Sequence, residues 1–303
     1  MKILLTGING QVGHALQSSL SNHQLIALSR DALDLTDSDA IRRIVRETKP
    51  NLIINPAAYT AVDKAESEAE LAFAINATAP QVLAEEAAKL GAGLIHFSTD
   101  YVYDGAKLSP YLETDVVNPV SVYGKSKLAG EDAIRAVSGI TGLPHLILRT
   151  SWVYGAYGKN FLKTILRLAG EREKLTIVGD QFGAPTSSES IADALVNLVE
   201  KWQSSQKSLQ ESQSGIYHFT NTGKTSWHGF SCEIINEYNK LAGAPALITS
   251  VENVLAITTA DYPTPAARPA NSCLENRKLK QTFGIELPSW QQGLQEVMKG
   301  LNA

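Results

Sequence analysis

Tyr123 and Lys127 stand four residues apart, and on a helix that spacing sets a phenol and an ammonium on one face. A tyrosine ordinarily titrates at about 10 and serves proton transfer better nearer neutrality. A neighbouring ammonium favours the phenolate, so Lys127 is expected to lower the value for Tyr123. By itself the spacing describes many helix-surface pairs. Upstream, however, residues 97–103 close an aliphatic run, and ligands of open α/β sheets bind outside the carboxyl ends of strands. That places the Thr99 hydroxyl to hold a reacting carbonyl or alcohol oxygen, its alternative being a strand-end cap on local backbone.

A second group lies at the start of the chain. Residues 7–13 carry Gly7, Gly10 and Gly13 between an aliphatic run and a helical pattern. Glycine there permits a positive-φ turn, close backbone approach to a pyrophosphate and tight packing of helix on strand. Free N–H groups at the helix N-terminus then face the phosphates. The spacing is G-x-x-G-x-x-G, not G-x-G-x-x-G, and its position at the first strand–helix junction points to a nicotinamide dinucleotide. An acidic residue ending the second strand would accept the ribose hydroxyls of NAD, but here Ser29-Arg30-Asp31 follows. Arg30 either pairs with a 2′-phosphate or is a solvated surface cation. Asp34 and Leu35 are placed to line the adenine pocket. Activity with both NADPH and NADH is expected, with a modest preference for NADPH.

These groups need a scaffold. Aliphatic runs at 3–6, 25–28, 52–55, 94–98 and 146–150 read as buried strands. Helical patterns at 12–19, 38–48, 66–76 continuing over 79–90, and 126–137 lie between them. Such alternation predicts a Rossmann-like α/β fold, a doubly wound parallel sheet covered on both faces. After residue 150 the rhythm changes. Helical patterns at 161–169, 191–201 and 230–241 are separated by an irregular stretch at 179–186, and a proline-marked loop follows at 262–265. The Ser- and Gln-rich stretch 204–214 reads as a mobile surface loop, and 216–220 as a late strand. The expected organisation is an NAD(P)-binding domain over 1–150 and a smaller, less regular, mainly substrate-binding portion over 151–303. Some late elements should return to the sheet.

Among the 303 residues, 44% are hydrophobic and 19% charged, with a formal net charge of -4 and signs interspersed. Neither a nucleic acid nor a membrane is expected as partner, because both attract clustered cations. Cys232 and Cys273 cannot supply a disulfide framework or a paired thiolate site. With no run of about 18 apolar residues and no signal-peptide pattern, a cytoplasmic location is expected.

The glycine loop, Ser98-Thr99-Asp100 and Tyr123-x-x-x-Lys127 together resemble the extended short-chain dehydrogenase/reductase superfamily. Longer stretches at 55–66, 149–154, 180–186 and 262–269 are similar to the dTDP-4-dehydrorhamnose reductase family, and the resemblance spans nearly the whole chain. It implies NADPH- or NADH-dependent reduction of the C4 ketone of dTDP-4-dehydro-β-L-rhamnose to dTDP-β-L-rhamnose, the last step of a nucleotide-sugar synthesis that feeds surface polysaccharides. By that resemblance Tyr123 protonates the nascent alkoxide, Thr99 holds the same oxygen, and Lys127 tunes Tyr123 and anchors the nicotinamide ribose. Gly10, Gln11 and Val12 would hold the pyrophosphate, while Ala58, Tyr59 and Thr60 border the cofactor. Trp152 would pack on the sugar with Asp100 beside it. Arg268 is a candidate for the substrate diphosphate, with a surface salt bridge as its alternative.

Some members of the family are dimers bridged by magnesium through glutamates, one of them in the first helix. Here Gly13-His14-Ala15-Leu16 offers no carboxylate, and Glu189 alone makes a poor magnesium site. His14 reads as a helix-surface residue. No metal and no metal-bridged dimer are expected, rather a monomer or weak homodimer. Other functions on this scaffold stay open: a different nucleotide-sugar 4-keto reductase, an epimerase, or a regulatory subunit like those relatives that partner methionine adenosyltransferase. A dehydratase is disfavoured, since Tyr101 rather than an acid follows Asp100.

Overall fold

The computed structural model describes residues 1–205 and 207–301. At its centre lies a six-stranded parallel sheet built from β1 (Lys2–Leu5), β2 (Gln24–Ala27), β3 (Leu52–Asn55), β4 (Gly93–Thr99), β5 (His145–Thr150) and a late strand, Gly215–His218. The order is late strand, β5, β4, β3, β1, β2, with every pairing parallel. Because β2 and β3 flank β1 on opposite sides, the winding reverses there, and a crevice opens at the carboxyl end of β1.

Every residue of β3, β4 and β5 is buried, which is why these strands read as aliphatic runs without polar alternation. Successive side chains serve opposite faces. Ile3, Leu5, Ile54 and Leu146 join Leu16, Ile191, Leu195 and Leu198 in one apolar layer. Leu4, Ile53, Leu94 and Ile147 join Ile41, Val45, Leu83 and Ile134 in the other. The expected doubly wound sheet is therefore observed.

Helix boundaries follow their caps. The Asp37 carboxylate accepts from the N–H groups of Asp39 and Ala40 at the start of Ser38–Thr48. Ser121 does the same for Gly124, so the helix Val122–Thr141 begins one turn before the apolar periodicity that starts at 126. The stretch read as one helix over 66–76 and on to 90 is broken. Ala69–Phe73 passes into a π-helical turn, Ala74–Thr78, and then into Ala79–Leu90. An inserted residue of this kind leaves the apolar pattern almost unchanged, but it redirects the side chains of the turn.

Beyond β5, Leu162, Ile165, Phe230, Ile234, Trp290 and Leu294 form a separate apolar cluster. A two-stranded parallel ribbon, Leu175–Val178 with Val254–Ile257, flanks it. Other late elements lie on the main sheet: Gly215–His218 pairs with β5, and Ser188–Ser204 buries Ile191, Leu195 and Leu198 in the first layer. The stretch 204–214 is not the surface loop expected from composition, since a short helix, Lys207–Ser212, occupies much of it. Two of its polar side chains are tied to the core: Ser214 Oγ accepts from the His145 amide at 3.0 Å, and Gln210 Nε2 donates to the Trp202 carbonyl at 2.6 Å. Residue 206 of that stretch, and residues 302 and 303 of the expected second portion, lie outside the described residues. No helix among the described residues is long and apolar enough to cross a membrane.

Candidate active site

A cleft of about 750 Å³ opens where the strands end. Gly7, Gly10, Gln11, Val12 and Gly13 line it from the first turn, and Arg30, Asp34 and Leu35 from the segment after β2. Ala58, Tyr59 and Thr60 enter after β3, Thr99 and Asp100 at the end of β4, Tyr123 and Lys127 from their helix, and Trp152 after β5.

The glycines are needed where they stand. Gly7 has φ 63°, and a Cβ there would lie 2.8 Å from Ala57. A Cβ on Gly13 would lie 2.2 Å from the Gly7 carbonyl oxygen, so no other residue fits unless the turn moves. The helix Gln11–Ser19 starts with no side-chain cap and no acidic residue in its first turn. Its N–H groups and positive dipole end are thus open to the cleft, an arrangement that fits a dinucleotide pyrophosphate. Arg30 is exposed at the rim. The Asp34 carboxylate accepts from the Thr36 amide at 2.9 Å and the Thr36 hydroxyl at 2.8 Å. Those bonds, and more weakly the charge of Arg30, hold Asp34 below the ordinary carboxylate value.

At the other end, Lys127 Nζ donates to the Phe97 carbonyl at 2.6 Å and lies 3.2 Å from His96 Nε2. Thr99 Oγ1 donates to Asp100 Oδ1 at 2.9 Å and accepts from the Tyr101 amide at 3.2 Å, so it makes the local cap that was its alternative, and it also lines the cleft. Burial pushes the Tyr123 phenol up to about 12; the Thr99 hydroxyl pulls the other way and the Asp100 charge adds to the rise. This corrects the expectation that Lys127 brings the phenol down, because desolvation outweighs any help from the ammonium. Lys127 is itself lowered to about 8 by burial, against the pull of Glu131.

Two buried oxygens in the lining, Asp100 Oδ2 and Thr150 Oγ1, have no hydrogen-bond partner. Burial raises Asp100 to about 6, with the Ser272 and Thr99 hydroxyls opposing. Unmet acceptors of this kind fit a polyhydroxylated ligand. Trp152 adopts φ 49°, left-handed for a bulky residue, and its indole stacks on Trp227 with ring centroids 3.5 Å apart. Gly183 makes room for it, since a Cβ there would lie 2.6 Å from the Trp152 ring.

Arg268 is not part of the cleft lining. Its guanidinium pairs with Asp63 at 2.8 Å, and the Ala266 amide donates to the same carboxylate, tying the proline-marked loop to the helix Val62–Ala65. The alternative of a salt bridge is thus what the fold presents, and Asp63, 205 residues away, gave no local signal.

Several residues that hold the site escaped the motif reading. Asn76, in the π-helical turn, accepts from the Tyr59 amide and donates to the Tyr59 carbonyl and the Ser126 hydroxyl. Gly130 lets this turn approach, since a Cβ would sit 2.1 Å from the Asn76 carbonyl. Glu131, one turn beyond Lys127, accepts two bonds from Arg149 of β5, at 2.9 and 2.5 Å, and one from Ser98 of β4. Polar residues inside otherwise apolar strands were the available signal.

His14 is exposed and stacks on Tyr157, and Ala15 packs against the first apolar layer. The Glu189 carboxylate accepts from the Ala156 amide at 3.0 Å and the Ser188 hydroxyl at 3.1 Å. Among the described residues no three His, Cys, Asp or Glu side chains converge as a metal site.

The RmlD substrate binding domain family matches the chain over residues 1–303. A dTDP-4-dehydrorhamnose reductase of Burkholderia thailandensis is 48% identical, over 96% of this chain and 95% of the relative. The crystal structure of a dTDP-4-dehydrorhamnose reductase from Clostridium acetobutylicum superposes with a TM-score of 0.89 at 38% identity, covering 100% of both chains. That of the Bacillus anthracis reductase, in complex with NADP, gives 0.88 at 34% identity over 99% of both chains. Matched from end to end in sequence and superposed over the whole chain in structure, the chain belongs to the RmlD substrate binding domain family.

Proposed function

We propose that the chain reduces the C4 ketone of dTDP-4-dehydro-β-L-rhamnose to dTDP-β-L-rhamnose with NADPH or NADH. The observation that carries this reading is the placement of Thr99, Tyr123 and Lys127 on the same cleft as an uncapped, glycine-built helix N-terminus. The names of the relatives and the NADP held by the Bacillus anthracis protein support it. Residues 1–150 serve the cofactor and 151–303 mainly the substrate.

When bound, the dihydronicotinamide supplies the hydride that reduces C4. Thr99 orients the ketone oxygen by turning its one hydroxyl proton to it from Asp100 Oδ1. Tyr123, whose phenol is held up at about 12, carries its proton at neutral pH and gives it to that oxygen as charge develops there. Lys127 spends one donor on the Phe97 carbonyl and keeps another for the nicotinamide ribose. The N–H groups around Gly10, Gln11 and Val12 face the pyrophosphate, Ala58, Tyr59 and Thr60 border it, and Arg30, Asp34 and Leu35 form the adenosine end. Trp152 walls the sugar while Asp100 accepts from its hydroxyls. Arg268 reaches the diphosphate only if Asp63 releases it. The enzyme works in the cytoplasm as a monomer or weak homodimer that needs no metal bridge.

The test is NADPH consumption against a panel of nucleotide-linked 4-keto sugars, with product stereochemistry read by NMR. Many turnovers are expected with the dTDP-linked 4-keto-L-sugar. Consumption that stops at one equivalent would refute a reductase, since an epimerase or a regulatory subunit does not release and replace its cofactor. Tyr123→Phe should lower kcat by about 10²- to 10⁴-fold with cofactor binding unchanged.

A further inference from the structure

Beneath the cleft floor a line of buried polar side chains crosses three adjacent strands. Thr6, just after β1, donates to Asn55 Oδ1 at 2.6 Å; Asn55 Nδ2 lies 3.0 Å from His96 Nδ1; His96 Nε2 lies 3.2 Å from Lys127 Nζ. None of the four is more than 2% exposed, and the two ends, Thr6 and Lys127, both line the cleft. Asn55 and His96 are register partners in the sheet. No step of the proposed reaction uses His96.

An imidazole with one ring proton can face a lysine in either charge state. Toward an ammonium, Nε2 accepts and the proton sits on Nδ1, with the Asn55 amide oxygen turned to it. Toward an amine, Nε2 donates and Nδ1 accepts from Asn55 Nδ2, which lies 3.0 Å away. We propose that His96 is the positioning residue of the site, a neutral imidazole that exchanges tautomers so that buried Lys127 keeps a partner in both charge states. The proton count balances. When the ammonium ionises, its N–H bond breaks and one forms at Nε2, while the proton on Nδ1 is released to solvent. The ring holds one proton before and after. Other ionisable groups around Lys127 are Tyr123 and Glu131 on its own helix, Asp100 after β4, and Arg149 of β5, bound to Glu131. Burial and the charge of Lys127 both hold His96 well below its ordinary value, which keeps the ring neutral in this pH range.

The inference rests on the assigned role of Lys127, but its first test needs no turnover. In the full chain labelled with ¹⁵N-histidine, with His96→Gln identifying the signals, the His96 ring should stay neutral. It should pass from the Nδ1–H to the Nε2–H form with the midpoint of the Lys127 titration, near 8. In Lys127→Met the tautomer should not change with pH. An imidazolium at His96, or one tautomer throughout in the wild type, would overturn the proposal even if the enzyme turns over. In the pH profile of kcat, His96→Gln should leave the alkaline limb in place, and His96→Leu should move it down by about one pH unit, or roughly tenfold in activity on the limb. A His96→Leu enzyme with a lower Tm and an unmoved limb would show a packing role only, and would also overturn it.

Discussion

Asp100→Asn should make the protein more stable at neutral pH while making it a worse enzyme. Asp100 is 2% exposed; its Oδ1 accepts from Thr99, the Ser272 hydroxyl steadies the carboxylate from nearby, and no hydrogen bond of full geometry reaches Oδ2. Burial raises its pKa from 3.8 to about 6, and a rise of that size corresponds to about 3 kcal/mol of unfavourable ionisation in the folded state. The sign follows from linkage. A carboxyl whose folded pKa is raised binds its proton more tightly when folded, so it contributes fully below 3.8 and the contribution is lost as pH rises to about 6. Above that window the whole cost is present. Asparagine removes the charge but leaves an amide in the same dry position, so the gain at pH 7 should be smaller, about 1–2 kcal/mol. The measurement is urea unfolding of both proteins from pH 4 to pH 8. Subtracting one curve from the other cancels carboxylates held low by partners, such as Glu86 at about 2 with Arg46 and Lys89. The difference should be small at pH 4, grow through pH 6 and then stay level. If Asp100 accepts from a sugar hydroxyl, kcat/KM should fall by roughly 10- to 100-fold, the range for a hydrogen bond to a charged group. A difference curve that is flat, or of opposite sign, would mean that Asp100 is satisfied and that the argument from its orphaned oxygen is wrong.

Other perturbations follow from the same geometry. Gly13→Ala sets a Cβ against the Gly7 carbonyl and should cost about 1–3 kcal/mol in unfolding experiments, whereas Gly10→Ala, with 3.3 Å to the same oxygen, should melt nearly as the wild type but bind NADPH more weakly. Arg149→Met strands the Glu131 carboxylate in the core and should cost about 3–5 kcal/mol, while the double variant with Glu131→Leu should recover much of that; a loss below about 1 kcal/mol for the single change would contradict a fully desolvated pair. Arg30→Ala should raise KM for NADPH by about tenfold and leave NADH unchanged, and an absolute requirement for NADH in the wild type would remove Arg30 from the cofactor site.

Much of the cleft was legible because its parts obey local rules. Tyr123 and Lys127 share a face through helix periodicity alone, and the glycine turn is dictated by contacts within a few residues, such as Gly13 on Gly7. What was hidden depends on partners distant in sequence. Arg268 suits a diphosphate or a carboxylate equally well by chemistry, and only the return of 262–269 to the helix Val62–Ala65 gives it Asp63. Asn76 sat inside a smooth apolar helix pattern, and its role comes from the π-helical turn that aims it at Tyr59 and Ser126. The stretch 204–214 had the composition of a loop, yet Trp202 buries in the main core just before it and Ser214 reaches the start of β5. Burial also explains why the expectation for Tyr123 was inverted: the lysine was expected to lower the phenol, but in so dry a site desolvation of the phenolate dominates.

Unfavourable features gather on the wall of the cleft assigned to the sugar. Asp100 lacks a partner for one oxygen, Thr150 has an orphaned hydroxyl, and Trp152 holds a left-handed backbone. The elements behind that wall are the reverse. Glu131 takes bonds from both β4 and β5, Arg149 also donates to the Tyr103 hydroxyl, and that hydroxyl meets His218 of the late strand at 2.8 Å. The helix carrying Tyr123 and Lys127 is thereby fastened to three strands of the sheet, so strain at the cleft surface cannot relax by moving it. On the proposed reading, a ligand that satisfies the orphaned oxygens recovers free energy only in the geometry this helix enforces, with its ketone oxygen between Thr99 and Tyr123. Binding and orientation would then be one event, and the late strand Gly215–His218 would serve it through Tyr103 and Arg149, remote from any reacting atom.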